Sequence, residues 1–524
     1  MKSEIKTILI LVLSGLLLTA AFPKMSQDRL AWLALVPLLW ALNDAGPREA
    51  FRRGLVFGIA HFLSLLYWLV PTMVIYGYLP GILSVSILFL FAAVLSLLFI
   101  APMTCGFALV SRTPLRSLLF FPVFWVGFEY LRSFLFTGFP WELLGYSQHS
   151  RLQLIQISDI VGVYGVSGLI ALANAALFLA TLVVCRKTWR GRPVTGRMAI
   201  GGLAAAAALV GLTWGYGELR IREIDRLASA APTVRVAVVQ GNIEQSQKWE
   251  PAFQAATIEK YIRLSLSTRP QQPELIVWPE SAAPFYFLKE MPPTRMLLEG
   301  VVVNGTHFLI GAPAFELKGK NADYFNRAYL VGPGGEVLGL YDKAHLVPYG
   351  EFTPFKEYLP FLGKIVEHVG DFVAGPQGMT LDWQGRKLGI QICYEIIFPE
   401  LSRLLTKNGA ALLVNITNDA WYGTTAGPYQ HFSLVALRAV ENRRALARAA
   451  NTGISGFIDP VGRVLDPTPL MVEAAVTRAL PMLTTETIYT RFGDVFAFVC
   501  LSIALVGAGW GWFRSKQHDV MGGN

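Results

Sequence analysis

The chain has 524 residues, 53% of them hydrophobic and only 15% charged, with a formal net charge of +9. A soluble globular protein carries about 25% charged residues, so much of this surface must face something other than water. The basic excess does not mark a nucleic-acid binder, because the Arg and Lys cluster in short loops between apolar runs, as in a protein oriented across a membrane.

A membrane-crossing helix needs about 20 predominantly apolar residues. Runs at about 5–22, 54–70, 80–101, 117–131, 161–185 and 199–216 are candidates, and one at about 495–513 follows near the C-terminus. The run at 30–42 is short for a span but reads as a turn back into the membrane, giving about eight spans. The first run, after Lys2 and Lys6, is read as a retained anchor rather than a cleaved signal, since further spans follow at once. Arg48, Arg52 and Arg53, then Arg112 and Arg116, then Arg186, Lys187, Arg190, Arg192 and Arg197 mark alternate connections, whereas 72–79 carries no charge. The positive-inside rule then puts both termini in the cytoplasm and the region after 217 on the opposite side. The expected division is a bundle of about seven spans over 1–217, an α/β domain over 218–488, and a last helix with a cytoplasmic tail over 489–524.

Within 218–488, short Val- and Ile-rich runs at 234–239, 275–277, 307–311, 328–331, 387–392 and 411–416 read as strands. Gly332-Pro333-Gly334-Gly335 predicts a hairpin turn. Near-continuous apolar strands alternating with polar, helix-compatible stretches predict a sheet buried on both faces. Of the four cysteines, Cys105, Cys185 and Cys500 fall in or beside apolar runs, leaving Cys393 without a disulfide partner in this domain. No His or Cys spacing suggests a metal site.

Three places in the domain set a reactive side chain just past an apolar strand: Glu280 after Trp278-Pro279, Lys343 after Tyr341-Asp342, and Cys393 before Tyr394-Glu395. A free thiol has a pKa near 8.5 and is mostly protonated at neutral pH. A carboxylate can take its proton, and an ammonium can stabilise the thiolate or a developing oxyanion. Glu280 as base, Cys393 as nucleophile and Lys343 as electrostatic stabiliser meet those needs. Taken singly, each has a blander reading: an inert core thiol, a loop carboxylate, a surface ammonium.

These three motifs resemble the signatures of the nitrilase superfamily, which implies a four-layer α-β-β-α fold and a Glu-Lys-Cys triad acting at carbon–nitrogen bonds. The segment Asn415-Ile416-Thr417-Asn418-Asp419-Ala420-Trp421-Tyr422-Gly423 extends the match. Gln240-Gly241-Asn242-Ile243 with Lys248-Trp249, the run from His345 to Glu351, and Gly138-Phe139-Pro140-Trp141 with Gly145-Tyr146-Ser147-Gln148 resemble a narrower family, the apolipoprotein N-acyltransferases. That resemblance implies a bacterial inner-membrane enzyme with its catalytic domain in the periplasm and no cofactor. It also implies ping-pong transfer of an acyl chain from the sn-1 position of a phospholipid, typically phosphatidylethanolamine, to the α-amine of a diacylated apolipoprotein. Supporting roles are expected for Glu351, which orients Lys343 or shares base duty, for Tyr394, whose N–H suits an oxyanion hole, and for Glu395, which holds the loop. Trp249, Gly145 and Tyr146 are expected substrate contacts. Glu129 and Arg132 read as a helix-end ion pair, His61 as a satisfied polar residue and His431 as a helix-start or packing residue. The rivals are a membrane-tethered amidase that uses water as acceptor, a catalytically dead scaffold, and a transporter.

Overall fold

A computed structural model of the chain describes residues 2–246, 248–319, 321–353 and 371–521. It comprises two compact units: Met1–Val74, Leu79–Arg220 and Phe492–Asn524 form one, and Ile75–Tyr78 with Ile221–Arg491 form the other.

The first unit is helical. Its main helices are α1 (Lys2–Ala20), α2 (Pro47–Leu65), α3 (Gly81–Val110), α4 (Pro114–Phe134), α5 (Ser158–Val184), α6 (Gly196–Ala230, of which the part from Ile221 on belongs to the second unit) and a C-terminal helix, Val495–Met521. Among the described residues, four helices are long and apolar enough to cross a bilayer, and a fifth counts if α2 and Leu69–Ile75, bent by 53°, form one broken span. Apolar side chains such as Ile82, Leu90, Leu212 and Val506 are exposed on these helices, as suits a surface facing lipid rather than water.

The run at 30–42 does not form a straight span. It folds as a 3₁₀ turn, Asp28–Trp32, and a helix of 7 residues, Val36–Leu42, and so short a helix rises only about 10 Å. Asn174 of α5 holds this irregular stretch, donating to the Ala31 carbonyl at 2.8 Å and accepting from the Leu35 N–H at 2.9 Å. Non-helical backbone at membrane depth is tolerated only when its polar groups are met in this way. Gly54 and Gly58 of α2 let α3 approach closely: a Cβ at Gly54 would lie 2.1 Å from Thr104 Oγ1, and one at Gly58 would lie 2.6 Å from Ser96 Oγ. This is the small-xxx-small packing of membrane helices.

Glu129 and Arg132 serve the 135–148 loop separately rather than forming the expected ion pair. Glu129 accepts from Trp125 Nε1 at 3.0 Å and the Leu144 N–H at 2.7 Å, while Arg132 donates to the Trp141 carbonyl at 3.0 Å. His61 is buried, with Nδ1 2.9 Å from Thr19 Oγ1.

The second unit contains two six-stranded sheets. In chain order the strands are β1 (Thr233–Gln240), β2 (Leu275–Val277), β3 (His307–Lys318), β4 (Asn321–Val331), β5 (Val337–Asp342), β6 (Thr380–Trp383), β7 (Arg386–Ile392), β8 (Leu412–Thr417), β9 (Ala445–Ala450), β10 (Gly456–Ile458), β11 (Val464–Leu465) and β12 (Ala474–Pro481). One sheet has the order β12-β1-β2-β3-β4-β5 and the other β6-β7-β8-β9-β10-β11. Each reads antiparallel, parallel, parallel, antiparallel, antiparallel across its neighbours.

Side chains alternate between faces along a strand, and the core follows that period. Val234, Val236 and Val238 of β1 join Leu388, Ile390, Leu412 and Val414 of the other sheet in one apolar cluster. Ala237 and Val239 instead pack with Ile258 and Tyr261 of α7 (Pro251–Leu266) and with Leu297 and Val301 of α8 (Met291–Asn304). Two further helices, α9 (Pro399–Lys407) and α10 (Gly427–Asn442), belong to this unit. The hairpin expected at 332–335 joins β4 and β5, with a register shift at Leu330/Val331.

Candidate active site

Three strand ends bring the sequence-derived candidates together. Glu280 follows β2, Lys343 follows β5, and Cys393 follows β7 as the first residue of a 3₁₀ turn, Cys393–Ile397. Cys393 has φ +52°, a left-handed conformation that a non-glycine residue holds only where surrounding contacts impose it, at a cost of about 1–3 kcal/mol. All three side chains are buried.

Lys343 Nζ lies 2.9 Å from Glu351 Oε1 and 3.5 Å from Glu280 Oε1. Asn326 of β4 donates to both acids, at 2.7 Å to Glu280 and 2.9 Å to Glu351. The other Glu280 oxygen accepts the Asn418 N–H at 2.9 Å, and the other Glu351 oxygen accepts the Val347 N–H at 2.8 Å. The acids are thus fixed at both oxygens, and the ammonium is shared between them. Burial opposes the Lys343 charge, but Glu351, Glu280 and Cys393 outweigh it and hold its pKa above the ordinary lysine value. Burial pushes the Cys393 thiol up, Glu280 pushes it further, and Lys343 opposes both. The resting thiol therefore keeps its proton.

Glu395 is the brace between two loops. One carboxylate oxygen accepts the Ala344 and His345 N–H groups at 2.6 and 3.0 Å, and the other accepts the Ile392 N–H at 2.6 Å. The Tyr341 hydroxyl donates to it as well, at 3.0 Å. The segment after Lys343 and the one before Cys393 are thereby tied to a single side chain. Burial pushes Glu395 up to about 7 against these donors.

Residues 14–176 match the apolipoprotein N-acyltransferase N-terminal domain, and residues 235–489 match the carbon-nitrogen hydrolase family. An apolipoprotein N-acyltransferase of Geobacter metallireducens is 44% identical over 515 residues, covering 97% of this chain and 96% of that protein. The chain belongs to the apolipoprotein N-acyltransferase family. A second apolipoprotein N-acyltransferase, from Methylococcus capsulatus, is 34% identical over 93% of each chain. Among solved structures, an amidase from Nesterenkonia sp. is 21% identical, covering 51% of this chain and 96% of that one, with a TM-score of 0.37.

Trp249 is 43% exposed, beside a lysine that the sequence marks only as part of a motif. Lys248 is 1% exposed and donates to the Glu280 carbonyl at 3.1 Å. Burial lowers its pKa to about 8, against the pull of Glu280 and Cys393. Gly145 and Tyr146 are buried in the helical unit. The Gly145 N–H donates to Ser167 Oγ at 2.8 Å, and a Cβ there would lie 2.5 Å from the Val163 carbonyl oxygen. Close packing thus accounts for that glycine.

The sequence presents His431 as a helix-start or packing residue. It lies inside α10, fully buried, with Nδ1 2.9 Å from Asp419 Oδ1 and Nε2 3.2 Å from the Cys393 carbonyl oxygen. Asp419 also accepts from Arg448 at 2.8 Å and from Thr417 Oγ1 at 2.9 Å. Opposing its burial, Arg448 and His431 hold the Asp419 carboxyl well below the usual range. A charged, fully buried network therefore backs the strained cysteine. The sequence marks Asp419 only as part of the 415–423 motif and does not join it to the others, because they come from a separate helix and strand.

Proposed function

We propose that Cys393 carries an acyl chain as a thioester between two lipid substrates. Glu280 takes the thiol proton as Sγ attacks the sn-1 ester carbonyl of a phospholipid such as phosphatidylethanolamine. The tetrahedral oxyanion is stabilised by Lys343 and by the Tyr394 N–H. Collapse expels the lysophospholipid alkoxide, which regains the proton from Glu280. In the second half-reaction the α-amine of a diacylglyceryl-cysteine attacks the thioester, Glu280 accepts an amine proton, and Cys393 leaves as thiol once that proton returns to sulfur. Glu351 positions Lys343, Glu395 positions both loops, and Trp249 contacts substrate. For Gly145 and Tyr146, burial favours shaping the 135–148 loop over direct contact.

The observation that carries this reading is an ammonium held between two anchored carboxylates beside a buried cysteine of positive φ. The proposal includes about eight spans in the bacterial inner membrane and a four-layer α-β-β-α domain, 218–488, in the periplasm. A lipid-facing cleft suits a thioester that must meet an amine before water. The test is incubation of the purified chain with phosphatidylethanolamine and a synthetic diacylated lipopeptide. One acyl chain should appear on the peptide's N-terminal amine, and Cys393→Ser should transfer none. Free fatty acid with an unmodified peptide would instead indicate hydrolysis.

A further inference from the structure

A cavity of about 430 Å³ lies in the helical unit, between α5 and α6, within the range of about 300–1,000 Å³ typical of ligand sites. Its walls are apolar, with Ala173 and Leu177 from α5 and Leu203, Ala206, Ala207 and Val210 from α6. Its mouth is polar. There Arg151 pairs with both oxygens of Asp28, Gln148 donates to the Asp28 carbonyl at 3.0 Å, and Trp32 donates to Gln148 at 3.1 Å. Arg29 also lines it, exposed and with no carboxylate at ion-pair distance among the described residues, although, against burial and together with Arg151, its charge helps to lower the Asp28 pKa.

Three features select the occupant. From Leu203 to Trp214 the helix rises about 17 Å, close to one leaflet of a hydrocarbon core about 30 Å thick. Trp32 and Trp214, both on the lining, are the residue type that settles at the headgroup level. The charge is placed against topology: the basic cluster 186–197 follows α5, whereas Arg29 and Arg151 precede it. On the positive-inside orientation those two arginines face the outer side, where they have no topological use, but two guanidinium groups against one carboxylate suit a phosphate.

We propose that this groove binds one glycerophospholipid, with an acyl chain in the α5–α6 trough and its phosphate against Arg29 and Arg151. The test is native mass spectrometry of the detergent-solubilised full chain titrated with phosphatidylglycerol. Arg29→Gln removes an exposed charge and leaves the Arg151–Asp28 hydrogen bonds in place, and Ala207→Phe fills the trough from an exposed position. Each should weaken the groove's lipid adduct about tenfold, as expected for loss of one charge-assisted contact or of the chain's seat. Lipid bound elsewhere on the chain is untouched by either change. Wild-type titration curves for both variants would overturn the site. Weakening by Arg29→Gln alone would reduce it to a surface charge and overturn the groove.

Discussion

Asp419→Asn tests whether the network behind Cys393 matters. Asp419 is the only carboxylate that an ion pair of Arg448 reaches among the described residues, and both side chains are fully buried. The amide would remove the negative charge and set an N–H₂ group against either Arg448 or His431. Leaving one member of a buried ion pair uncompensated costs about 3–5 kcal/mol. At about 2–4 °C per kcal/mol for a domain of this size, the melting temperature should fall by roughly 10 °C. Scanning fluorimetry in detergent reads it directly. Acyl transfer should fall as well, since the ring that reaches the Cys393 carbonyl loses its partner. The pH dependence has a fixed sign: a carboxyl held below its unfolded value contributes stability above that value and loses it as pH falls, so the variant should lack this acid limb. Asp419→Leu combined with Arg448→Leu should lose less than the two single changes together, because no charge is left stranded. A shift under about 2 °C with unchanged transfer would refute the reasoning.

Lys343→Met leaves Glu280 and Glu351 facing each other around Asn326, so the variant should abolish thioester formation and lose about 3–5 kcal/mol of stability, read by acyl-adduct mass and thermal unfolding. Glu395 keeps its proton to about 7 when folded, against 4.5 as the ordinary value. Folding stability should therefore decline as pH rises from 4.5 to 7, by about 3 kcal/mol, and denaturant titrations of Glu395→Gln should lose that slope. Lys248 is the opposite case, with its pKa lowered to about 8 from 10.5. Stability should rise with pH between those values, and Lys248→Met should flatten the rise.

The chemistry-bearing strand ends were legible because each is a short, local pattern: an apolar run, then Glu280, Lys343 or Cys393. Their neighbours were not. β9, Ala445–Ala450, is made of Ala, Leu and Arg, which favour helix by intrinsic propensity, yet every residue in it is buried beside β8. Without that strand, Arg448 reads as a surface charge rather than the counter-ion of Asp419. β12 is not legible for a related reason, since half-exposed Ala474–Pro481 lacks the β-branched density of β1, with which it pairs. β3 and β4 were foreseen only at their apolar ends. Their outer halves carry Glu316, Lys318 and Asp323, polar residues in the far part of a long hairpin. In the helical unit, hydropathy located the long helices but could not distinguish a straight span from the turn and short helix at 28–42, because Asn174 supplies the missing hydrogen bonds from another helix.

The most direct test of the central claim is the intact mass of the purified chain after incubation with phosphatidylethanolamine and no acceptor. The expected result is a gain of one acyl chain, released by hydroxylamine and mapped to Cys393. Transfer to a lipopeptide by a chain that never carries this adduct, or an adduct mapped to another residue, would contradict the assignment of Cys393 as the acyl carrier.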